Sequence, residues 1–269
     1  MKTVVNGSMH SYEMLGSGPH VTLLHSVGLS TREGWRNQIP VLSRQYAVLT
    51  YDIRGLGESE RGSEPLGVQT FVKDLEALLA GLEIEETVLI GASVGGSIGQ
   101  AFTAEHPEIV QGLILVSTTC KLPAESAAIS RERNQRIRNE GMGIAVDEQI
   151  ERQFSGEFQE AFPDTMAWYR SHYIANDTET YIAIMENMAG LDLCERLRTL
   201  RCPTLIITGE DDMSPVRGRL PGESAKMLQN LIPGSRVVFI PEARHYPHID
   251  HPELFNETVM SFLTEISNR

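Results

Sequence analysis

Cysteine is scarce in this chain. Its 269 residues include three cysteines, Cys120, Cys194 and Cys202, an odd number without the Cys-x-x-Cys spacing of a zinc knuckle. A disulfide framework is therefore not expected, and reduced thiols in the cytoplasm are the default expectation. Long apolar runs are also missing, since no segment reaches the roughly 18 consecutive apolar residues of a membrane-spanning helix. The first 15 residues lack the basic start and apolar stretch of a secretory signal.

Basic residues are outnumbered. Lys and Arg total 23 against 36 Asp and Glu, which gives a formal net charge of −13. Nucleic acids and anionic membranes are bound by clustered positive charge, so neither is expected as a partner. Hydrophobic residues make up 41% and charged residues 22%, the usage of a globular rather than a disordered protein. A small-molecule substrate remains the expected partner, and a homodimer is compatible with this composition.

Short apolar runs alternate with amphipathic stretches along the chain. The runs are mostly continuous, which indicates strands buried on both faces of a parallel sheet. The predicted strands are 21–25, 47–52, 87–92, 112–117, 203–208 and 236–241, preceded by a hairpin over 3–15 that turns at Asn6 and Gly7. The predicted helices are 35–46, 70–82, 96–106, 223–232 and 252–266. This order predicts a doubly wound α/β fold.

Residues 121–190 interrupt the alternation. This segment has no convincing strand and consists of charged helical stretches. Because it falls between two predicted strands, we interpret it as a helical cap inserted into a core domain of residues 1–120 and 191–269. Insertions over the carboxyl ends of strands usually shape a substrate pocket. The alternative is a helical subdomain with a structural role alone.

The strongest chemical signal is Gly91-Ala92-Ser93-Val94-Gly95, a Gly-x-Ser-x-Gly pattern between a predicted strand and a predicted helix. A turn this sharp holds the serine in a strained conformation, and the glycines keep other side chains away from it. The hydroxyl also lies at a helix N-terminus, where partial positive charge favours a developing anion. Ser93 is therefore the candidate nucleophile.

A serine nucleophile needs a base, and the base needs an acid that orients it. Two carboxylates, Asp211 and Asp212, follow the strand predicted at 203–208, and His245 follows the last predicted strand. Because carboxyl ends of parallel strands meet at one edge of a sheet, we expect these side chains to lie near Ser93. The chain order Ser, Asp, His is the order found in α/β-hydrolases.

Two further histidines suggest an alternative use of this region. His248 and His251, together with Asp250, lie close enough to His245 in sequence to raise a metal site. The His-Glu-x-x-His pattern is missing, and both histidines fall near the start of the last predicted helix. We therefore expect no metal and no cofactor, and assign these histidines to the pocket wall or the helix cap.

Acyl transfer also requires hydrogen-bond donors for the oxyanion. One candidate is the backbone N–H of Val94, which follows the nucleophile. The second is the N–H of Val27, in the loop after the strand predicted at 21–25. Neighbouring positions are candidate substrate-binding residues: His25, Ser26 and Tyr246.

The insertion offers candidate substrate contacts. Four arginines form a basic patch in an otherwise acidic chain: Arg131, Arg133, Arg136 and Arg138. An inward-facing Arg131 or Arg133 would bind a substrate carboxylate in bidentate fashion. The alternative is a solvated helix face paired with acidic neighbours. Trp168, Tyr169 and Tyr173 are further candidates for the pocket, or else for the core of the insertion.

From residue 25 to residue 245 the chain resembles the α/β-hydrolase superfamily. The segment 51–59, YDIRGLGES, is similar to the Asp-x-Arg-Gly-x-Gly-x-Ser segment of that superfamily. Segments 151–154 and 180–193, with Ser26, resemble the 3-oxoadipate enol-lactonases. Three positions depart from that group, which usually has His, Trp and Gly where this chain has Leu56, Gln153 and Arg244.

The resemblance implies an α/β-hydrolase fold with a mostly parallel eight-stranded sheet, flanking helices and a helical cap. By its spacing, Asp212 rather than Asp211 is the acid of a triad with Ser93 and His245. The implied activity is cofactor-free hydrolysis of an ester or lactone through an acyl-enzyme. Alternatives are a C–C bond hydrolase or a perhydrolase with the same triad, or a non-catalytic ligand-binding member of the fold.

Overall fold

The computed structural model describes residues 1–29, 32–212 and 221–268. The described strands are β1 (Lys2–Val5), β2 (Ser8–Leu15), β3 (His20–Leu24), β4 (Ala47–Tyr51), β5 (Thr87–Ala92), β6 (Val110–Val116), β7 (Thr204–Gly209) and β8 (Arg236–Ile240). They form one sheet in the order β1-β2-β4-β3-β5-β6-β7-β8. β1 and β2 pair in antiparallel fashion, as do β2 and β4, while β3 to β8 are parallel. The predicted fold class is confirmed.

The central strands are buried on both faces. Along β5, Leu89 joins the apolar cluster that contains Phe102 on one side of the sheet. Its neighbour Ile90 joins the other cluster, with Val21 and Ile114. Successive strand residues point to opposite faces, so a run of apolar residues fills both layers at once. This arrangement accounts for the continuous apolar runs in the sequence.

The hairpin predicted at the N-terminus is confirmed. β1 and β2 pair from Val5 opposite Ser8, which leaves Asn6 and Gly7 as the two turn residues. Both have positive φ, 45° for Asn6 and 73° for Gly7. A two-residue turn of this type matches the twist of the paired strands and favours Asn-Gly.

Twelve α-helices lie in the described residues: α1 (Ile39–Leu42), α2 (Val68–Gly81), α3 (Val94–Glu105), α4 (Ala124–Glu140), α5 (Gly143–Gln153), α6 (Gly156–Ala161), α7 (Pro163–Ile174), α8 (Thr178–Ala189), α9 (Cys194–Leu197), α10 (Glu223–Leu231), α11 (Pro247–Asp250) and α12 (Pro252–Ser267). The prediction of one helix over 35–46 is wrong. Pro40 lies in the first turn of α1. Its ring would clash with the carbonyl group four residues earlier, so no helix runs through it from residue 35.

Six helices, α4 to α9, lie between β6 and β7, and no named strand interrupts them. At the base of this insertion, Lys121 and Asp192 form an isolated antiparallel bridge and a 2.6 Å ion pair. Cys120 and Cys194 are joined by a disulfide beside them, with 5.3 Å between their Cα atoms. The expectation that these two cysteines stay reduced is wrong. They are 74 residues apart in sequence, and only the return of the chain to the sheet brings them together.

The division into a core domain and a cap over 121–190 remains a prediction. Within the part of the chain that the structure describes, no helix is both long and apolar enough to cross a bilayer.

Candidate active site

Ser93 occupies the turn between β5 and α3. Its backbone has φ 52° and ψ −113°, outside the regions that serine normally adopts. The Ser93 N–H donates to the Val116 carbonyl at 2.9 Å, and the Thr118 hydroxyl donates to the Ser93 carbonyl at 2.7 Å. A conformation of this kind costs on the order of 1–3 kcal/mol and persists only where the surroundings hold it. These contacts from the end of β6 hold the turn in place.

Two glycines make this turn possible. A Cβ atom on Gly91 would lie 2.4 Å from the Gly95 carbonyl oxygen, and one on Gly95 would lie 2.2 Å from the carbonyl oxygen of Leu24. Both distances are far below van der Waals contact, so neither position accepts a larger residue without a backbone shift. The Gly-x-Ser-x-Gly pattern is therefore a packing requirement of the β5–α3 turn against β3.

His245 and Asp212 form a buried pair. The Nδ1 atom of His245 lies 3.2 Å from Oδ1 and 3.3 Å from Oδ2 of Asp212. The Thr208 hydroxyl donates to Asp212 Oδ2 at 3.2 Å, which fixes the carboxylate from the end of β7. Asp211 is exposed, and its backbone N–H donates to the Ala243 carbonyl. Of the two candidate carboxylates, the structure brings Asp212 to the histidine.

Ser93 and His245 line one cavity of about 70 Å³ beneath the inserted helices. Five other predicted residues also line it: Ser26, Val27, Val94, Arg133 and Tyr246. The N–H of Val94 belongs to the first turn of α3, where helix geometry provides no intrahelical acceptor. The cavity thus brings together a serine, a histidine backed by a carboxylate, and the two residues, Val27 and Val94, whose N–H groups are the predicted oxyanion donors.

A chain of hydroxyl and amide groups supports one wall of the cavity. The Ser26 hydroxyl accepts the Gly28 N–H at 3.2 Å and shares a 3.1 Å hydrogen bond with the Tyr246 hydroxyl. The Tyr169 hydroxyl donates to the side-chain oxygen of Gln153. Burial raises the pKa of Tyr246, so its phenol stays neutral. Ser26 therefore fixes the loop that contains Val27, rather than serving only as a substrate contact.

Three predicted substrate-binding residues lie outside the described lining of this cavity. His25 is buried, and its Nε2 atom accepts the Ile53 N–H at 2.9 Å. Burial lowers the pKa of His25, which keeps the ring neutral and able to accept this bond. Arg131 is exposed on α4. Trp168 on α7 lies under the guanidinium of Arg36, 4.0 Å from it.

Several lining residues were not identified from the sequence, above all Arg152. It lies at the end of α5 and lines the cavity with Gln149 and Gln153 of the same helix. Tyr173, a candidate for the pocket or the core, lines the wall from α7. Tyr181 and Met185, which the sequence did not single out as pocket residues, complete it from α8. Helical spacing could have identified the three residues of α5, because positions 149, 152 and 153 lie on one face of a helix.

Two departures from the enol-lactonase pattern meet beside His245. The Gln153 carbonyl accepts the His245 N–H at 3.2 Å. The guanidinium of Arg244 donates to the carbonyl oxygens of Glu151 and Phe154, at the C-terminal end of α5. Helix C-termini attract cations because their last carbonyl groups lack intrahelical donors. The loop that holds the histidine is thus bonded directly to the inserted helices.

The residues of the metal alternative serve other contacts. The His248 ring is fully buried against Trp35, with 4.6 Å between ring centroids, and burial lowers its pKa to about 3. Asp250 accepts the Arg244 N–H at 3.2 Å, and burial raises its pKa to about 7. His251 immediately precedes α12. His248 is therefore a neutral residue of the core and does not line the pocket.

Comparison with known proteins agrees with this architecture. The sequence profile of the α/β-hydrolase fold family matches residues 19–252. A 3-oxoadipate enol-lactonase from Acinetobacter baylyi is 27% identical over 250 residues, 93% of this chain and 91% of that protein. A 2-hydroxy-6-oxo-6-(2'-aminophenyl)hexa-2,4-dienoic acid hydrolase from Metapseudomonas resinovorans is 27% identical over 262 residues, 94% and 87% of the two chains. The crystal structure of the enol-lactonase from Burkholderia xenovorans superposes with a TM-score of 0.90 at 28% identity, over 98% of this chain and 100% of that one. The chain therefore belongs to the α/β-hydrolase family of enzymes.

Proposed function

We propose that this protein is a serine hydrolase that cleaves an ester or lactone bond of a small molecule through an acyl-enzyme. One observation carries the proposal: Ser93, in its strained turn, lines the same cavity as His245, whose Nδ1 lies 3.2 Å from Asp212. A serine hydroxyl of ordinary pKa becomes nucleophilic when a histidine takes its proton, and a buried carboxylate holds the histidine in the required tautomer.

The chemistry proceeds in two halves. Nε2 of His245 removes the Ser93 proton as Oγ attacks the substrate carbonyl, and the N–H groups of Val27 and Val94 stabilise the oxyanion. When the tetrahedral intermediate collapses, the C–O bond breaks and the leaving oxygen takes the proton from His245. Water, activated by the same histidine, then attacks the acyl-enzyme and releases the carboxylic acid and Ser93.

An enol-lactone is the first substrate to test. The similarity to two enol-lactonases, in sequence and in overall structure, supports this choice. In a lactone the acyl and leaving groups belong to one molecule, so ring opening leaves a single product attached to Ser93 until water releases it. The departures at Gln153 and Arg244 alter this part of the site and leave room for a different lactone or ester.

A C–C bond hydrolase is the second candidate. The hydrolase from Metapseudomonas resinovorans supports it, with the same level of identity over nearly the whole chain. A panel of enol-lactones, aryl esters of graded chain length and vinylogous diketones separates the two candidates, because each class releases a different product. Preferential turnover of the diketones would replace the ester and lactone assignment.

The test of the nucleophile uses a fluorophosphonate probe and the Ser93→Ala variant. Wild-type protein is expected to be labelled at Ser93 and to turn over at least one substrate of the panel. The variant should lose labelling and about 10³-fold or more in turnover. Labelling elsewhere, or a variant with wild-type turnover, would overturn the proposal, and an unlabelled wild type would favour a ligand-binding protein.

A further inference from the structure

Two arginines from different inserted helices lie over the serine. Arg133 on α4 and Arg152 on α5 both line the cavity that contains Ser93. Both also line an adjoining cavity of about 50 Å³, together with Ser126 and Ser130. The pair therefore stands between the reacting serine and the interior of the inserted helices.

The two guanidinium groups influence each other. Burial, and then the nearby charge of Arg133, lower the pKa of Arg152. The carboxylate of Asp212 acts on Arg152 in the opposite direction. That carboxylate is held by hydrogen bonds with His245 and Thr208. Two like charges at the edge of a small cavity are stabilised by a bound anion.

Arg133 keeps donor capacity in this position. Its Nη2 donates to the Ser130 hydroxyl at 3.3 Å, while its Nε is buried with no hydrogen-bond partner among the described residues. A buried donor without a partner costs free energy until an acceptor reaches it. Other arginines of the insertion differ, since Arg138 binds Glu179 at 3.0 Å and Arg170 binds Asp147 on the exposed surface.

Phenol groups add polar contacts to the same wall. The Tyr173 hydroxyl donates to the Tyr181 hydroxyl at 3.2 Å, and both side chains line the cavity with Arg133. Burial raises the pKa of Tyr173, so this phenol stays neutral. Because Tyr173 donates its proton to Tyr181, the Tyr181 hydroxyl is the one that can donate to a ligand. The wall therefore combines two arginine side chains with a hydroxyl donor.

We infer that Arg133 and Arg152 form an anion subsite that binds a carboxylate group of the substrate while Ser93 attacks a carbonyl of the same molecule. This inference rests on the proposed function. Arginine recognises carboxylates through paired N–H donors, which suits a planar two-oxygen group.

The test compares two esters that differ only at the far end of the acyl chain. Mono-4-nitrophenyl adipate ends in a carboxylate, and 4-nitrophenyl hexanoate ends in a methyl group. Wild-type protein should prefer the adipate ester in kcat/KM. Arg133→Met and Arg152→Met should each lower that preference about 10- to 100-fold, the usual effect of a hydrogen bond to a charged group. Most of this change should appear in KM.

Arg136→Met is the matched control. It removes the same charge from an exposed position on α4, so the preference between the two esters should stay at the wild-type value. A wild type without preference, or arginine variants that lose both esters equally while remaining folded by circular dichroism, would overturn the subsite. If Ser93→Ala retained turnover, the proposed function would fail instead.

A binding measurement distinguishes failure of the anion subsite from failure of the proposed hydrolase function. Adipate itself should bind to Ser93→Ala in calorimetry, and the double variants Ser93→Ala/Arg133→Met and Ser93→Ala/Arg152→Met should bind it at least about tenfold more weakly. This readout needs no catalysis, so it tests the subsite even where the esterase assay fails. Equal adipate affinity in all three proteins would refute the inference.

Discussion

The guanidinium of Arg244 lies 3.1 Å from the carbonyl oxygen of Phe154, 90 positions earlier in the chain, and donates a hydrogen bond to it. Its neighbour His245 donates its backbone N–H to the Gln153 carbonyl at 3.2 Å. Two consecutive residues of the histidine loop are thus bonded to the end of α5, the helix that contains Arg152. A movement of the inserted helices would therefore shift the histidine.

Replacing Arg244 by alanine tests this connection. Both bonds from its guanidinium would be lost, while the His245–Asp212 contact would remain. Since small misplacements in an active site cost up to about 10²-fold in rate, we expect kcat to fall about tenfold with little change in Tm. Arg244→Lys should recover part of the loss, because an ammonium also bonds helix carbonyls. Arg236→Ala, an exposed arginine paired with Glu265, is the control. Wild-type kcat in Arg244→Ala would argue against the connection.

Adjacent aspartates provide a second test. In Asp212→Asn the histidine would be held in the wrong tautomer, so kcat should drop about 10³- to 10⁴-fold with the fold intact. Asp211→Asn removes an equal charge from the neighbouring position. Its side chain is exposed and its structural contact is a backbone bond to Ala243, so turnover should stay at the wild-type level. Kinetics on the best panel substrate measures both, and a large loss in Asp211→Asn would reverse the assignment.

Much of this site could be predicted because its signals are local. A strand, a Gly-x-Ser-x-Gly turn and a helix occupy consecutive residues, so the position of Ser93 follows from short-range sterics. His245 and the Asp211–Asp212 pair follow strand ends, and parallel strands bring such ends to one edge of the sheet. The choice between the two aspartates depended on family spacing, which the 3.2 Å contact of Asp212 with His245 supports.

The rest depends on contacts between distant segments. Arg131 and Arg133 have the same composition around them, yet only the packing of α4 on α8 and α5 decides that Arg133 faces the cavity. The sequence leaves Trp168 as a candidate for the pocket or for the core of the insertion, but in the structure its ring packs against the guanidinium of Arg36, 132 residues earlier. Cys120 and Cys194 meet for the same reason, since nothing in either sequence neighbourhood indicates the other.

Asp250 gives the protein a predictable response to pH. Burial raises its pKa from 3.8 to about 7, with the charge of Asp212 acting in the same direction. Between about pH 4 and 7 the native carboxyl is protonated while the unfolded one is ionised. The native state then holds the extra proton, so this contribution to the free energy of unfolding falls by about 1.4 kcal/mol per pH unit as pH rises.

His248 acts in the opposite sense. Its pKa is lowered from 6.5 to about 3, so between those values the unfolded state holds the extra proton and stability rises with pH. The two slopes nearly cancel in the wild type. Asp250→Asn isolates one of them, because the amide oxygen still accepts the Arg244 N–H and carries no charge. The stability of the variant relative to wild type should increase from pH 4 to 7 in urea unfolding. A constant difference would contradict a raised pKa for Asp250.

The cysteines at the base of the insertion provide the last prediction. The Cys120–Cys194 disulfide closes a loop of 74 positions, which corresponds to about 4 kcal/mol of lost chain entropy in the unfolded state. The double variant Cys120→Ala/Cys194→Ala should therefore lower the free energy of unfolding by about 2–4 kcal/mol. Cys202→Ala is the matched control, since Cys202 is a free thiol and its loss should cost less than the double change. Titration of the wild type with a thiol reagent under denaturing, non-reducing conditions should find one thiol per chain. Three thiols, together with equal stability of the double variant and the control, would show that the bond does not form in solution.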